Sequence, residues 1–445
     1  MLYKGCNAAL RQEVGQAGEN LYFQWVEQHY GDDHRRFVDE TARTLRDAGF
    51  NAWGGWSMLF TPREGHREIG MPFVEIIPAR EQAGIECRLV QPDRDPQTHE
   101  QTGWKGAFNV DVFDPLCWER IEAHFRTHYA ELTDNPNLVG YFSDNECMYG
   151  QPKTDAAWTG RLEDLQTPPQ FATLLQRCLA QPEGKPGGDF AWKWVLARHG
   201  GSVEKLSRDW QADFANVADF RELTDERGVT LTSDAYSADH AAFTRVYVRE
   251  YYTQMNAMVR RYDPNHMVMT TRCPAPPGVL ALKAMRECFD DGLIDVLAMN
   301  SYRDDFHARV EEFSAPTGMP ILNGEFNWCS GHFLDWGKYL REEAFTETEK
   351  QDIRLRGRMA LENAFAHPAL IGYTWFKWYS GREFTEDAYG LATDQPFGAV
   401  VSNHGELNTF NAPLFRKVHP RLEGIATGET APFIVDDLGP VQQTC

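Results

Sequence analysis

The chain has little of what marks several common enzyme and binding classes. No apolar run approaches the roughly 18 residues that a membrane span needs, so no membrane partner is expected. Positive charge is in deficit: 44 Lys and Arg stand against 65 Asp and Glu, a net charge of −21. Such a balance disfavours nucleic acid and anionic lipid as partners, and solubility alone accounts for it. Cysteine is present but unorganised. Nine residues (Cys6, Cys87, Cys117, Cys147, Cys178, Cys273, Cys288, Cys329 and Cys445) are scattered, odd in number and without a C-x-x-C pair. That pattern reads as reduced thiols in a cytoplasmic or periplasmic protein. No signal peptide precedes the first strand, so secretion would require that one had been removed. H-E-x-x-H, G-x-x-x-x-G-K-[ST] and G-x-S-x-G are all missing, and no H-x-H follows the first strand. His266, His332 and His404 stand alone. Neither a metal nor another cofactor is implied.

What is present is a large apolar fraction, 42%, and an aromatic share of 13% that includes 13 Trp. Strand and helix patterns alternate. Strands are expected at Leu2–Asn7, Phe50–Ser57, Met71–Ile77, Leu138–Glu146, His266–Arg272, Ile294–Tyr302, Pro320–Glu325 and Ala369–Trp378. The glycines of Gly54-Gly55 point to a close backbone approach in the second strand. Helices are expected at Asp32–Ala48, where Val38, Ala42 and Leu45 share a face ahead of Gly49, and at Pro115–Leu132, opened by Asp114-Pro115. A long helix follows at Ser237–Arg261. Eight such units imply an α/β fold, a (β/α)8 TIM barrel, as one domain over 1–430 with a C-terminal tail at 431–445. Residues 151–235 interrupt the rhythm with Pro and Gly clusters and short helices, too long for an ordinary connection. They read as a helical insertion after strand 4, over the barrel mouth. Glu19-Asn20-Leu21-Tyr22-Phe23-Gln24 spells a protease site used to remove purification tags. Trp25 in place of a small residue, and the unbroken run into Tyr30, read as native sequence.

In such barrels the active site lies at the C-terminal strand ends. Glu146, Arg272, Tyr302, Glu325, Trp375 and Trp378 all fall there. Two carboxyls flanking a sugar are what glycoside hydrolysis requires: one protonates the leaving oxygen, the other attacks or activates water. Glu146 closes the run Asp144-Asn145-Glu146, and Glu325 closes Asn323-Gly324-Glu325. Each alone reads equally well as a helix cap or ion-pair partner; together, at two strand ends of one barrel, they point to an oligosaccharide or polysaccharide substrate. Asn145 can bond a sugar hydroxyl beside the reacting carbon, and Tyr302 can donate to Glu325 and keep it ionised. Trp375, Trp378 and Trp56 are candidates for stacking on sugars, with core packing as the plain alternative. Asp144 and Arg272 complete the expected substrate-binding set.

These residues resemble clan A of the glycoside hydrolases, whose members are retaining (β/α)8 barrels. Asn109-Val110-Asp111-Val112-Phe113-Asp114-Pro115, Gly140 through Glu146, Phe50 through Ser57 and Gly372-Tyr373-Thr374-Trp375-Phe376 are similar to family 50, the β-agarases. Ala191 through Val195 and Ser202 through Trp210 resemble an insertion of that family and of the family 42 β-galactosidases. The resemblance implies Glu146 as general acid/base, Glu325 as nucleophile, Asn145 on the neighbouring sugar hydroxyl, Tyr302 orienting Glu325 and Trp375 beneath the cleaved sugar. It implies an exo-acting enzyme on agaro- or neoagaro-oligosaccharides. A β-galactosidase on small galactosides and a non-catalytic carbohydrate-binding barrel are the alternatives. Two departures bear on the substrate: Phe326-Asn327-Trp328-Cys329 differs from the sequence expected after the nucleophile, and the β-rich domain that precedes the barrel in the family's agarases has no counterpart ahead of strand 1.

Overall fold

A computed structural model of the chain describes residues 2–9, 20–57, 70–89, 109–147, 149, 173–223, 231–273, 279–328, 333, 345–379, 393–394 and 397–435. Eight strands form its frame: β1 Tyr3–Cys6, β2 Ala52–Trp53, β3 Phe73–Ile76, β4 Leu138–Phe142, β5 Met267–Met269, β6 Leu297–Asn300, β7 Ile321–Phe326 and β8 Leu370–Trp375. They lie in the order β5-β4-β3-β2-β1-β8-β7-β6. Each strand thus neighbours the next in sequence, and β1 pairs in parallel with both β2 and β8. A parallel bridge between Met269 and Val296, just ahead of β6, spans the remaining seam. Helices follow most strands, and the fold is the expected (β/α)8 barrel. Its strands are largely buried on both faces, as a helix-covered parallel sheet demands; all six residues of β7 are buried. The polar strand ends leave the ladder early. β4 stops at Phe142 and β8 at Trp375, short of the expected Glu146 and Trp378.

The chain divides into two compact units. One comprises Met1–Ile76, Asp134–Tyr141 and Ala298–Cys445. Within it, the helix His34–Asp47 starts where the Asp33 side chain accepts from Arg36 N, and it buries Phe37, Val38, Ala42 and Leu45. The preceding helix, Leu21–Tyr30, is capped by Asn20 and buries Tyr22 and Phe23; Tyr22 stacks on Tyr379 at 4.6 Å. The segment that spells a protease site is therefore built into the fold from Asn20 onward; Glu19 lies outside the described residues. The helix Ala412–Val418 brings Phe415 to within 5.0 Å of Phe50 and 4.8 Å of Trp375, ring to ring. His419, just after it, bonds Tyr373 Oη at 2.6 Å and Ala48 O at 2.8 Å. Burial holds its imidazole down at about 3, so it packs as a neutral ring. Residues 436–445 of the expected tail lie outside the described residues.

The second unit comprises Ile77–Thr133 and Phe142–Leu297. The helix Pro115–His128 is capped by Asp114, as expected. The insertion carries the helices Leu174–Leu179, Pro186–Arg198, Val203–Trp210 and Val217–Leu223; residues 151–172 and 224–230 of it lie outside the described residues. The long helix runs over Asp234–Tyr262, three residues earlier than expected, because the Ser233 hydroxyl accepts from Tyr236 N. A short antiparallel pair, Arg88–Leu89 with Asn109–Val110, was not anticipated. It opens the segment 109–115, whose polar groups turn out to be anchors. Asn109 Oδ1 accepts from Arg177 Nη1 at 3.1 Å, Val110 O accepts from Tyr247 Oη at 2.7 Å, and Asp111 accepts from Gly187 N at 2.8 Å. That segment docks the insertion helices. Burial pushes the Asp111 carboxyl up to about 6 against the pull of the Gly187 and Phe113 N–H groups. A Cβ on Gly187 would come within 2.4 Å of Asp111 Oδ1, so glycine is required for this approach. Cys87, Cys117, Cys147, Cys178, Cys273 and Cys288 here, and Cys6 in the other unit, are buried free thiols. Among the described residues no helix is long and apolar enough to cross a membrane.

Candidate functional site

In the first unit the site is built on the ends of β1, β2, β6, β7 and β8. Glu325, second to last in β7, is 6% exposed. Its carbonyl oxygen accepts from Ser301 N at 3.0 Å and from Asn323 Nδ2 at 2.9 Å. Its carboxylate Oε2 accepts from Tyr302 Oη at 2.5 Å. That separation is typical of an O–H···O⁻ bond, about twice as strong as a neutral one. The backbone of Glu325 and its carboxylate are thus fixed by different groups, and the expected Tyr302–Glu325 partnership is present.

Asn7, just past β1, was not singled out from the sequence. Its Nδ2 lies within bonding reach of Gly324 O (3.0 Å), Thr374 Oγ1 (2.9 Å) and Trp375 O (3.1 Å). It laces β1, β7 and β8 together behind the carboxylate. Gly54 meets the expectation of close approach: a Cβ there would lie 2.8 Å from both Asn7 N and Cys6 C. Two residues on, Trp56 has a left-handed backbone, φ +65°, and is half-buried. Among the expected stacking residues it has ring surface to offer. Trp375 and Trp378 differ from the expectation of open indole faces. Trp375 is fully buried, 4.5 Å from Trp328 and 4.8 Å from Phe415, ring to ring. Trp378 is buried and donates its Nε1–H to Tyr22 Oη at 2.9 Å. Both are occupied by packing, the plain alternative for an indole at the end of an apolar strand.

In the second unit the turn after β4 carries Asp144, Asn145 and Glu146. Asp144 departs from its expected substrate-binding role, because its carboxylate is filled from inside. It accepts from Arg80 N at 2.8 Å, Arg80 Nε at 3.2 Å and Asn145 N at 2.6 Å. The Arg80 guanidinium also bonds Asn145 O. Arg80 was missed from the sequence, although it follows β3 by four residues and the strand-end rule that flagged the glutamates applies equally to it. Glu146 comes next, 5% exposed, at φ +54°. A left-handed backbone at a non-glycine residue costs on the order of 1–3 kcal/mol and persists only where its surroundings over-determine it. Asn145 is half-buried beside it.

Arg272, after β5, is fully buried, left-handed at φ +52°, with its guanidinium 5.2 Å from the Phe142 ring centroid. Thr271 beside it bonds Tyr149 Oη at 3.2 Å, and Tyr149 bonds Tyr252 Oη at 2.8 Å. Burial, with a smaller contribution from the Glu146 carboxylate, pushes the Cys273 thiol up to about 12, which removes it as a nucleophile. Among the described residues no group of His, Cys, Asp or Glu is arranged to hold a metal.

No family model matches the chain. It is 24% identical over 411 residues to β-agarase A of Vibrio sp. (strain JT0107), a match covering 86% of this chain and 36% of that protein. The solved structure of an exo-β-agarase superposes with a TM-score of 0.65 at 19% identity, covering 92% of this chain and 50% of that one. A family 42 β-galactosidase from G. stearothermophilus superposes with a TM-score of 0.55 at 12% identity, covering 96% and 57%. The chain spans about a third of the length of the curated relatives it matches. The chain thus resembles β-agarases of family 50 and β-galactosidases of family 42 over most of its length, and it shares the (β/α)8 fold with them.

Proposed function

We propose that this chain is a retaining glycoside hydrolase of β-galactosidic linkages, with residues 1–430 as one catalytic barrel. The observation that carries the reading is the Tyr302 hydroxyl held at 2.5 Å from Glu325 at the end of β7. A carboxyl group with a committed donor is held in place and aimed, as a nucleophile must be. In the first step Glu146 gives its proton to the leaving oxygen while Glu325 attacks the anomeric carbon, forming a glycosyl-enzyme and releasing the shortened chain. In the second, Glu146 takes a proton from water, whose oxygen displaces Glu325. Asn145 contacts the hydroxyl beside the reacting carbon, Trp56 stacks on a neighbouring sugar, and the buried Arg272 and Trp375 back the site from within the barrel.

The similarity to β-agarases supports agaro- or neoagaro-oligosaccharides as substrates, and exo action with short, uniform products. The test is product chromatography after incubation with agarose, porphyran and lactose. One short product from agarose supports the reading; a ladder of many lengths removes exo action. A second reading, a β-galactosidase on small galactosides, draws on the fold similarity to family 42. It is favoured if nitrophenyl β-galactoside is cleaved faster than neoagaro-oligosaccharides.

A further inference from the structure

The buried ion pair beneath the turn that carries Glu146 is the feature that the two-glutamate mechanism leaves unexplained. Arg80 and Asp144 have side-chain exposures of 8% and 4%. A buried pair of this kind contributes little net stability, and apolar residues of similar volume often serve the fold as well or better. Its geometry is directed elsewhere. The Asp144 carboxylate takes the N–H of Asn145, and the Arg80 guanidinium takes the carbonyl oxygen of the same residue. The backbone groups of Asn145 are therefore clamped on both sides. Arg80 is itself fixed, since its own backbone N–H donates to the other oxygen of Asp144. Upstream, Ser143 is tied in turn: its N–H donates to Met269 O at 3.1 Å, and its carbonyl accepts from Tyr251 Oη at 2.6 Å. With Ser143, Asp144 and Asn145 all held, Glu146 enters at φ +54°, a conformation its side chain disfavours.

We propose that Arg80, acting through Asp144 and Asn145, is a positioning residue for the proton-transfer role of Glu146. The inference rests on the acid/base assignment of Glu146. The guanidinium fork is essential to it. A lysine in its place keeps the charge but cannot span Asp144 and Asn145 O with a planar pair of donors. Loss of the clamp lets the turn relax, which moves the acid away from the leaving oxygen and leaves the nucleophile untouched. A misplacement of about 1 Å costs on the order of 100-fold in rate.

The leaving group separates this role from a structural one. Neoagarotetraose has a sugar leaving group that needs a proton; dinitrophenyl β-neoagarobioside has one that departs without it. Arg80→Gln is expected to lower kcat/KM about 100-fold on neoagarotetraose and to leave kcat/KM on the dinitrophenyl glycoside close to wild type. Added azide is expected to raise its turnover of the activated substrate and yield a β-linked azide, as for Glu146→Ala, because azide attacks without a base. Arg80→Lys should fall between Arg80→Gln and wild type on neoagarotetraose; it retains the buried ion pair and serves the same comparison if Arg80→Gln does not fold. Equal losses on the two substrates, or no loss on neoagarotetraose, would overturn the positioning role. If Glu146→Ala itself loses activity equally on both, the acid/base assignment fails first, and this inference falls with it.

Discussion

Replacing Tyr302 by phenylalanine isolates the contact on which the nucleophile assignment depends. The change removes one oxygen and keeps the ring. The backbone of Glu325 stays held by Ser301 N and Asn323 Nδ2, so the end of β7 should not move. What is lost is a 2.5 Å bond from a neutral hydroxyl to a carboxylate. Hydrogen bonds to charged groups contribute about 1.5–3 kcal/mol net. At roughly 1.4 kcal/mol per factor of ten, that is an expected loss of about 10- to 150-fold in kcat/KM. The loss should be the same on neoagarotetraose and on the dinitrophenyl glycoside, because both require attack by Glu325. That is the opposite pattern from Arg80→Gln, which spares the activated substrate. Initial rates on the two substrates, with a urea unfolding curve to verify unchanged stability, make the measurement. A loss under about 3-fold, well below the range that the bond energy implies, would refute the reasoning. So would a loss confined to the oligosaccharide.

Two further outcomes concern stability. Glu75 on β3 is fully buried, and burial pushes its carboxyl from the ordinary 4.5 up to about 8, against a weaker pull from the Ile76 N–H. The folded chain therefore keeps a proton that the unfolded chain releases. Stability is highest below the unfolded value and falls as pH rises through 8, by about 5 kcal/mol over the whole window at 1.36 kcal/mol per unit. Glu75→Gln should abolish that component, so urea midpoints followed from roughly pH 5 to pH 9 should decline less in the variant; parallel declines would contradict it. In the insertion, buried His199 bridges Asp209 at 2.6 Å and Asp239 at 2.7 Å, and Asp239 also accepts from Trp210 Nε1 at 2.8 Å. His199→Leu leaves both carboxylates short of a partner and should destabilise by about 3 kcal/mol in urea unfolding; a change within about 0.5 kcal/mol, the range of a neutral surface substitution, would mean that the bridge is dispensable.

The barrel was legible because its signals are local and repeated. Apolar runs bounded by helix caps such as Asp33 and Asp114 mark strand and helix alike, and a parallel barrel needs each unit eight times. The two glutamates stand out in the sequence only as a pair: each alone could be a cap or an ion-pair partner, but both close apolar strands of one barrel. What the sequence hid is what depends on a second segment. Arg80 carries no motif, and its role exists only because the fold sets it against Asp144, 64 residues away. Asp144 itself was read as a substrate ligand, since an unpaired carboxylate and a clamped one look identical in sequence. Trp375 and Trp378 share the ambiguity in reverse: an indole at a strand end serves a sugar or the core, and the packing of Trp328, Phe415 and Tyr22 decides it. The segment 109–115 was noticed for its resemblance alone; its work, holding Arg177 and Gly187 of the insertion, is tertiary.

If Glu146 and Glu325 cleave a β-galactosidic bond by double displacement, the stereochemistry of the product records it. Two inversions return the original configuration, so the first-formed product carries a β anomeric hydroxyl, which then mutarotates. Proton NMR of neoagarohexaose during the first minutes of hydrolysis by the wild-type chain reads this directly. Double displacement gives the β anomeric signal growing first, followed by slow appearance of the α signal. An α signal that grows first would mean single displacement and would remove Glu325 as a nucleophile.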